Sequence, residues 1–215
     1  MKKILILHGT SGNSKSNWFL WLKRNLEEQG YLVWVPDLPH AEKPNISRYN
    51  KFIFANKDWS FDEETYIVGH SSGAVAILGL LQHLPKDIKI NTCVLVGSFK
   101  DDLGWETLNE LFLEKFNFDL IKSHARKFIF IHSDNDPYCP LEHAKYLAKK
   151  LDGKLIIKKG GGHFSANDDP KWKKFPFILE LLKKIRKSSQ ILTKLYHNMS
   201  INILCHPRED GDPVN

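Results

Sequence analysis

Cysteine is scarce in this chain of 215 residues: Cys93, Cys139 and Cys205 lie far apart, and none belongs to a Cys-x-x-Cys spacing. A small fold stapled by disulfides is disfavoured on that count, and reduced thiols in a cytoplasmic setting are expected. Long apolar runs are also missing. The longest, Ala74–Leu81, falls far short of the roughly 20 residues of a membrane span, so no integral membrane association is expected. Behind Met1-Lys2-Lys3 the run Ile4–Leu7 stops at His8-Gly9, shorter than the about 7–15 residues of a secretory core. The chain has no GxGxxG fingerprint, no Walker phosphate loop, no HExxH helix and no internal repeat, so neither a cofactor nor a metal is expected.

Excess charge of one sign is missing from most of the chain as well. The formal charge is +6, but Lys171–Lys187 alone holds seven basic residues against the single acid Glu180, which accounts for all of it. Inside that stretch Ile178, Leu181, Leu182 and Ile185 repeat at helical spacing. The pattern reads as a terminal helix with a solvated basic face, and it gives no reason to expect a nucleic-acid partner.

What is present is the composition of an ordinary globular protein, 42% hydrophobic and 26% charged, which disfavours disorder and coiled coils. Short β-branched runs alternate with helical patterns. Lys3–Leu7, Tyr31–Val35, Thr65–Val68, Thr92–Val96, Lys127–Ile131 and Lys154–Lys158 read as strands. Trp18–Glu28, Arg48 to about Lys57, Gly73–His83, Leu141–Leu151 and Phe175–Lys187 read as helices. Apolar strands each followed by a helix imply an α/β fold: a mostly parallel sheet of about six strands with helices on both faces. The spacing of Trp105, Leu108, Leu111 and Phe112 indicates a short helix within residues 99–125, either an ordinary crossover or a modest cap, with the crossover favoured. One domain over residues 1–187 is expected. Residues 188–215, ending in a polar, turn-rich His206–Pro213, are expected to be a loose tail, and the sequon at Asn198 a chance match.

The chemistry concentrates at Gly69-His70-Ser71-Ser72-Gly73, which lies between Tyr66-Ile67-Val68 and Ala74-Val75-Ala76-Ile77-Leu78. A G-x-S-x-G at a strand-to-helix turn holds its serine exposed on strained backbone, with small flanking residues letting strand and helix approach. A hydroxyl nucleophile needs a base. Of ten histidines, His163 in Gly160-Gly161-Gly162-His163-Phe164 follows the last strand and is the best candidate. His70 adjoins Ser71 but should point elsewhere, His8 should shape an oxyanion loop, and His83, His143 and His197 read as surface residues. The base needs an acid. Asp136, held extended before Pro137, is favoured over Asp134, which should brace its own turn. The backbone N–H groups of Ser72 and of Thr10, in the loop after the first strand, are the expected oxyanion donors. The order Ser71, Asp136, His163 is that of the α/β-hydrolase fold. His132, Asp134 and Asp136 also spell H-x-D-x-D, but without a second ligand cluster a metal is disfavoured.

With these residues in place the chain resembles the small serine hydrolases that include retinoblastoma-binding protein nine and the bacterial YdeN-like proteins. Four blocks over about residues 2–187 carry the resemblance: His8-Gly9 with Trp18 and Trp21-Leu22; Pro36-Asp37-Leu38-Pro39; Val68–Gly73; and Asn135-Asp136-Pro137 with Gly162-His163-Phe164. The resemblance implies the triad Ser71, Asp136 and His163, a fold with little or no lid, and hydrolysis of small acyl esters. No Leu-x-Cys-x-Glu motif is present, so retinoblastoma binding is not implied. A carboxylesterase acting on a small-molecule acyl substrate is the leading expectation. A thioesterase or peptidase with the same triad, and a degenerate hydrolase serving as a binding module, stay open. Trp18, Trp59, Phe99, Trp105 and Phe164 supply aromatics for an acyl pocket or for the core.

Overall fold

Every residue of Lys3–Leu7 is buried, and this segment forms the first strand, β1. The structure is a computed structural model describing residues 1–186. They fall in two compact units that meet in sequence between Phe175 and Pro176. In the second unit residues 176–186 are helical. The expectations for residues 188–215, with Asn198, His197 and Cys205, lie outside the described residues.

In the first unit β1 is followed by α1 (Phe19–Glu27), β2 (Leu32–Trp34), α2 (Ile46–Phe54), β3 (Thr65–His70), α3 (Ser72–Gln82), β4 (Ile90–Val96), α4 (Phe118–Ser123), β5 (Ala125–Ser133), α5 (Leu141–Lys150) and β6 (Lys154–Lys158). The six strands form one sheet in the order β2-β1-β3-β4-β5-β6, and every pairing is parallel. All six expected strands are there. Strands β3 and β4 are buried throughout, whereas the edge strands β2 and β6 are partly exposed.

Strand alternation divides the core. Leu5, Leu7, Ile67, Cys93, Leu95, Phe128 and Phe130 face one side, where they pack with Tyr49 and Ile53 of α2, Ile77 and Leu81 of α3, Ile121 of α4 and Leu147 of α5. Ile4, Ile6, Tyr66, Val68, Val94 and Val96 are fully buried on the opposite side. The chain leaves β1 toward β2, then crosses back over β1 to β3, and with right-handed crossovers this reversal puts α1 on the second face. The reversal lies between β1 and β3, and a switch point of that kind opens a crevice beyond the carboxyl ends of the strands.

Two local expectations are corrected, and one element is added. The second helix starts at Ile46 rather than Arg48, because the Asn45 side chain accepts the Arg48 N–H and caps it there. The segment spaced as a helix at Trp105–Phe112 is a 3-10 turn, Glu106–Leu111, which buries Leu108 and Leu111. A further helix, α4, capped by Asn117, follows in the same crossover. Residues 99–125 are thus a crossover whose apolar side packs beside Ile46 and Val75, while its first residues reach the crevice.

Candidate active site

Ser71 follows β3 and directly precedes α3, with φ 56° and ψ −125°, a conformation costing about 1–3 kcal/mol that persists only where the surroundings impose it. Its N–H donates to the Val96 carbonyl at 2.8 Å, and its own carbonyl accepts the Ala74 N–H at 2.9 Å. A sheet bond on one side and the first helical bond on the other fix the turn. Helix α3 crosses β1 closely: a Cβ on Gly73 would fall within the carbonyls of Leu7 and His8.

His163 sits in the loop after β6 and Asp136 in the loop after β5. Their side chains meet, His163 Nδ1 to Asp136 Oδ2 at 2.8 Å. The carboxylate also accepts the Tyr138 and Cys139 N–H groups, both at 3.0 Å, on Oδ1. Burial by itself would raise the Asp136 carboxyl, but the His163 bond and charge together with those two amides outweigh it and hold the group below its ordinary value. With Nδ1 engaged as donor, the other ring nitrogen of His163 is left as a proton acceptor. Ser71, His163 and Thr10 line one cavity of about 210 Å³, although no hydrogen bond joins Ser71 Oγ to His163 among the described residues. That bond is often long before substrate arrives.

Thr10 and Ser72 lie across the β1–β3 switch point. Thr10 Oγ1 donates to Ser72 Oγ at 2.9 Å, coupling the two loops. The neighbouring amides of Ser11 and Gly12 are used up on Ala41 and Gly9, and Ser72 is the first residue of α3, whose N–H has no intrahelical acceptor. His8 braces the same loop: one ring nitrogen bonds the Gly9 carbonyl at 2.9 Å, and the other accepts the Leu38 N–H at 2.9 Å. Burial lowers its pKa and keeps it neutral for that pair of roles. Asp37 accepts the Ser14 N–H at 2.6 Å, so Asp37 and Leu38 both serve to hold the loop around Thr10.

The remaining expected residues divide clearly. His70 is directed away from Ser71 Oγ but stays within the site: Nε2–H donates to the His163 carbonyl at 2.7 Å, and Nδ1 faces the Asn17 amide at 3.5 Å. Asn17 in turn accepts the Ala166 N–H at 2.8 Å. Asp134 braces backbone as expected, but that of Gly160, at 2.8 Å, rather than its own turn. His132 bonds the Cys139 carbonyl at 2.8 Å, so it supports the Asp136 loop instead of joining Asp134 in a ligand set. Among the described residues the ligand-bearing atoms that do cluster are those of Asp136, Cys139 and His163, within 4.8 Å. Two of the three are already bonded to each other, and burial raises the Cys139 thiol. His83 is exposed and His143 half-buried, both away from the cavity. Of the aromatics, Phe99 and Trp105 line the cavity, while Trp18, Trp59 and Phe164 are buried in the core.

Asn17, Tyr138 and Gly97 escape sequence reasoning. Tyr138 packs edge-on to His163, ring centroids 5.2 Å apart, and its hydroxyl donates to Asp168 at 3.0 Å. Gly97 follows β4 beneath the His163 ring. Only Gly97 carries a usable signal, a lone glycine directly after a buried strand.

The sequence pattern of the serine hydrolase family matches residues 4–184. The chain belongs to that family. YdeN of Bacillus subtilis (strain 168) is 29% identical over 182 residues, covering 84% of this chain and 94% of its own. Serine hydrolase RBBP9 of Rattus norvegicus is 27% identical over 168 residues, 75% of this chain and 87% of its own. The crystal structure of the B. subtilis YdeN product superposes with a TM-score of 0.80 at 28% identity, over 87% of this chain and all of that one (100%). Est1E from Butyrivibrio proteoclasticus shares the fold, with a TM-score of 0.61 at 17% identity over 88% of this chain and 87% of its own. The α/β-hydrolase fold and a place among serine hydrolases follow. No helix among the described residues is long and apolar enough to cross a membrane.

Proposed function

We propose that the chain is a carboxylesterase acting on small acyl esters through Ser71, His163 and Asp136. The observation that carries the reading is the pairing of His163 with Asp136 at 2.8 Å beside a serine held at φ 56° on the same cavity. Ser71 Oγ attacks the ester carbonyl carbon while its proton passes to His163 Nε2. Asp136 keeps the ring in that tautomer and stabilises the imidazolium. The oxyanion accepts hydrogen bonds from the Thr10 and Ser72 amides, each worth about 2.7–4 kcal/mol of barrier in comparable sites. Collapse expels the alcohol, which takes the proton from His163 and leaves an acyl-Ser71 ester. Water then attacks the acyl carbon as His163 takes its proton, and collapse breaks the bond to Ser71 Oγ, which takes that proton back from His163 as the carboxylic acid departs. The base supplies the activated nucleophile, so the cycle requires no metal. The buried free thiols Cys93 and Cys139 support placing this chemistry in a reducing compartment.

A fluorophosphonate probe tests the reading: it should label the wild-type protein and fail to label Ser71→Ala. Turnover of p-nitrophenyl acetate should fall at least about 1000-fold in His163→Ala. An unlabelled wild-type protein would remove the nucleophile assignment, and turnover that survives His163→Ala would remove the base.

A further inference from the structure

Two cavities open on the same reacting groups, one richer in aromatic and aliphatic side chains and the other in hydroxyls and amides. The one of about 210 Å³ is walled by Phe99, Leu103, Trp105, Leu108 and Tyr138. A second, of about 140 Å³, shares Thr10, Ser71 and His163 with the first but is otherwise walled mainly by Ser11, Gly12, Ser16 and Asn17, with Ser165 and Asn167 common to both. Neither lining includes a lysine or arginine, and the one carboxylate, Asp168, belongs to the first cavity. Ser11, on the polar cavity, and Asn167, on both, are exposed, and their side chains have no hydrogen-bond partner among the described residues.

An ester bound at Ser71 extends in two directions, its acyl chain one way and its alcohol the other. Aromatic and aliphatic walls favour a hydrocarbon, since burying it removes apolar surface from water. A wall of hydroxyls and an amide favours a ligand carrying its own hydroxyls, because an alkyl group there would strip water from Ser11 and Asn167 without replacing it. The lack of cationic side chains around the polar cavity disfavours an alcohol or thiol carrying phosphate there. Resting on the reading of Ser71 as an esterase nucleophile, we infer that the substrate is an ester of a short apolar acid with a small, uncharged polyol, the acyl chain lying against Trp105 and Tyr138 and the polyol against Ser11 and Asn167. Trp105 and Tyr138, with ring centroids 6.1 Å apart, close the acyl side and set its length.

The test compares 1-butyrylglycerol with ethyl butyrate, which share an acyl group, with rates normalised to sites titrated by a fluorophosphonate. The wild-type protein should prefer the glycerol ester by tenfold or more in kcat/KM. The variant Ser11→Ala/Asn167→Ala should bring that ratio close to one, chiefly through KM, while the titrated fraction confirms an intact nucleophile. Trp105→Ala should raise kcat/KM for an octanoyl relative to a butyryl ester. Equal or better use of ethyl butyrate, or a glycerol preference that survives the double variant, overturns the inference even though labelled protein upholds the serine chemistry. Absence of labelling removes both together.

Discussion

Gly97 shows how one missing side chain shapes the geometry of the candidate triad. Its φ of +59° lies in the left-handed region, and a Cβ added there would stand 3.1 Å from His163 Cε1 and 3.6 Å from Asp136 Oδ2. The residue therefore supplies both a turn open to few other side chains and the space in which the imidazole lies. Gly97→Ala should cost about 1 kcal/mol from backbone conformation alone. It should also displace the ring, so that kcat for p-nitrophenyl acetate falls about 100-fold with a much smaller change in KM. Steady-state kinetics with a parallel thermal melt separates the two effects. Retained kcat would show that the loop absorbs the methyl group. His70, Asn17 and Tyr138 belong to this scale too, and they are hard to read from the sequence for one reason. Each acts on a residue distant in the chain, His70 on the His163 carbonyl and Asn17 on the Ala166 amide, and spacing carries no trace of such pairings. Ser71, Asp136 and His163 stand out as candidates because each follows a strand and lies next to or near a glycine or proline.

At the scale of elements the agreement is best where a turn is locally specified. The elbow between β3 and α3 needs glycine on either side of the serine, and both glycines are in the sequence. The crossover between β4 and β5 is less legible. Trp105, Leu108, Leu111 and Phe112 have helical spacing, yet the segment closes as a 3-10 turn because its packing against Ile46 and Val75 decides the outcome over so short a stretch. Starts and stops of helices shift for a similar reason, the Asn45 cap being readable only once the entry into α2 is known. Contact between α3 and β1 gives the element-scale prediction. A Cβ at Gly73 would meet backbone carbonyls of Leu7 and His8, which cannot rotate away as a side chain could. Gly73→Ala should therefore destabilise the fold by about 1–3 kcal/mol, the usual cost of overpacking. The same shift should separate the Ser72 amide from the Thr10 loop and lower activity. Urea denaturation measures the first effect and p-nitrophenyl acetate kinetics the second. An unchanged midpoint would mean that the strand and helix have room to part.

For the molecule as a whole, the sheet, the switch point and the site above it follow from alternating apolar strands and helices, so the order of residues along the chain makes them legible. The pH dependence of stability follows instead from burial in three dimensions, which the order of residues does not disclose. His70 is fully buried and its pKa is pushed down to about 3, first by desolvation and then by the nearby His163. The unfolded chain takes up this proton near pH 6.5, whereas the folded protein refuses it until about pH 3. In that window the unfolded state binds more protons, so stability rises with pH and is lost progressively on acidification from about 6.5 toward 3. His8, also lowered by burial, adds to the same limb. Asp136 acts in the same sense at lower pH: its folded value is depressed, so its contribution is complete above the ordinary carboxylate range near 4 and disappears below it. These separate windows make the histidine part testable by itself. His70→Gln keeps an N–H for the His163 carbonyl but cannot take up a proton. Between pH 8 and pH 5 a histidine with these two values accounts for about 2 kcal/mol of lost unfolding free energy. Urea unfolding at the two pH values should therefore show a pH-dependent loss about 2 kcal/mol smaller in the variant, whatever its absolute stability. Equal losses in the two proteins would mean that the buried His70 imidazole contributes nothing to the acid limb, and that His8, His132 or groups outside this site govern it.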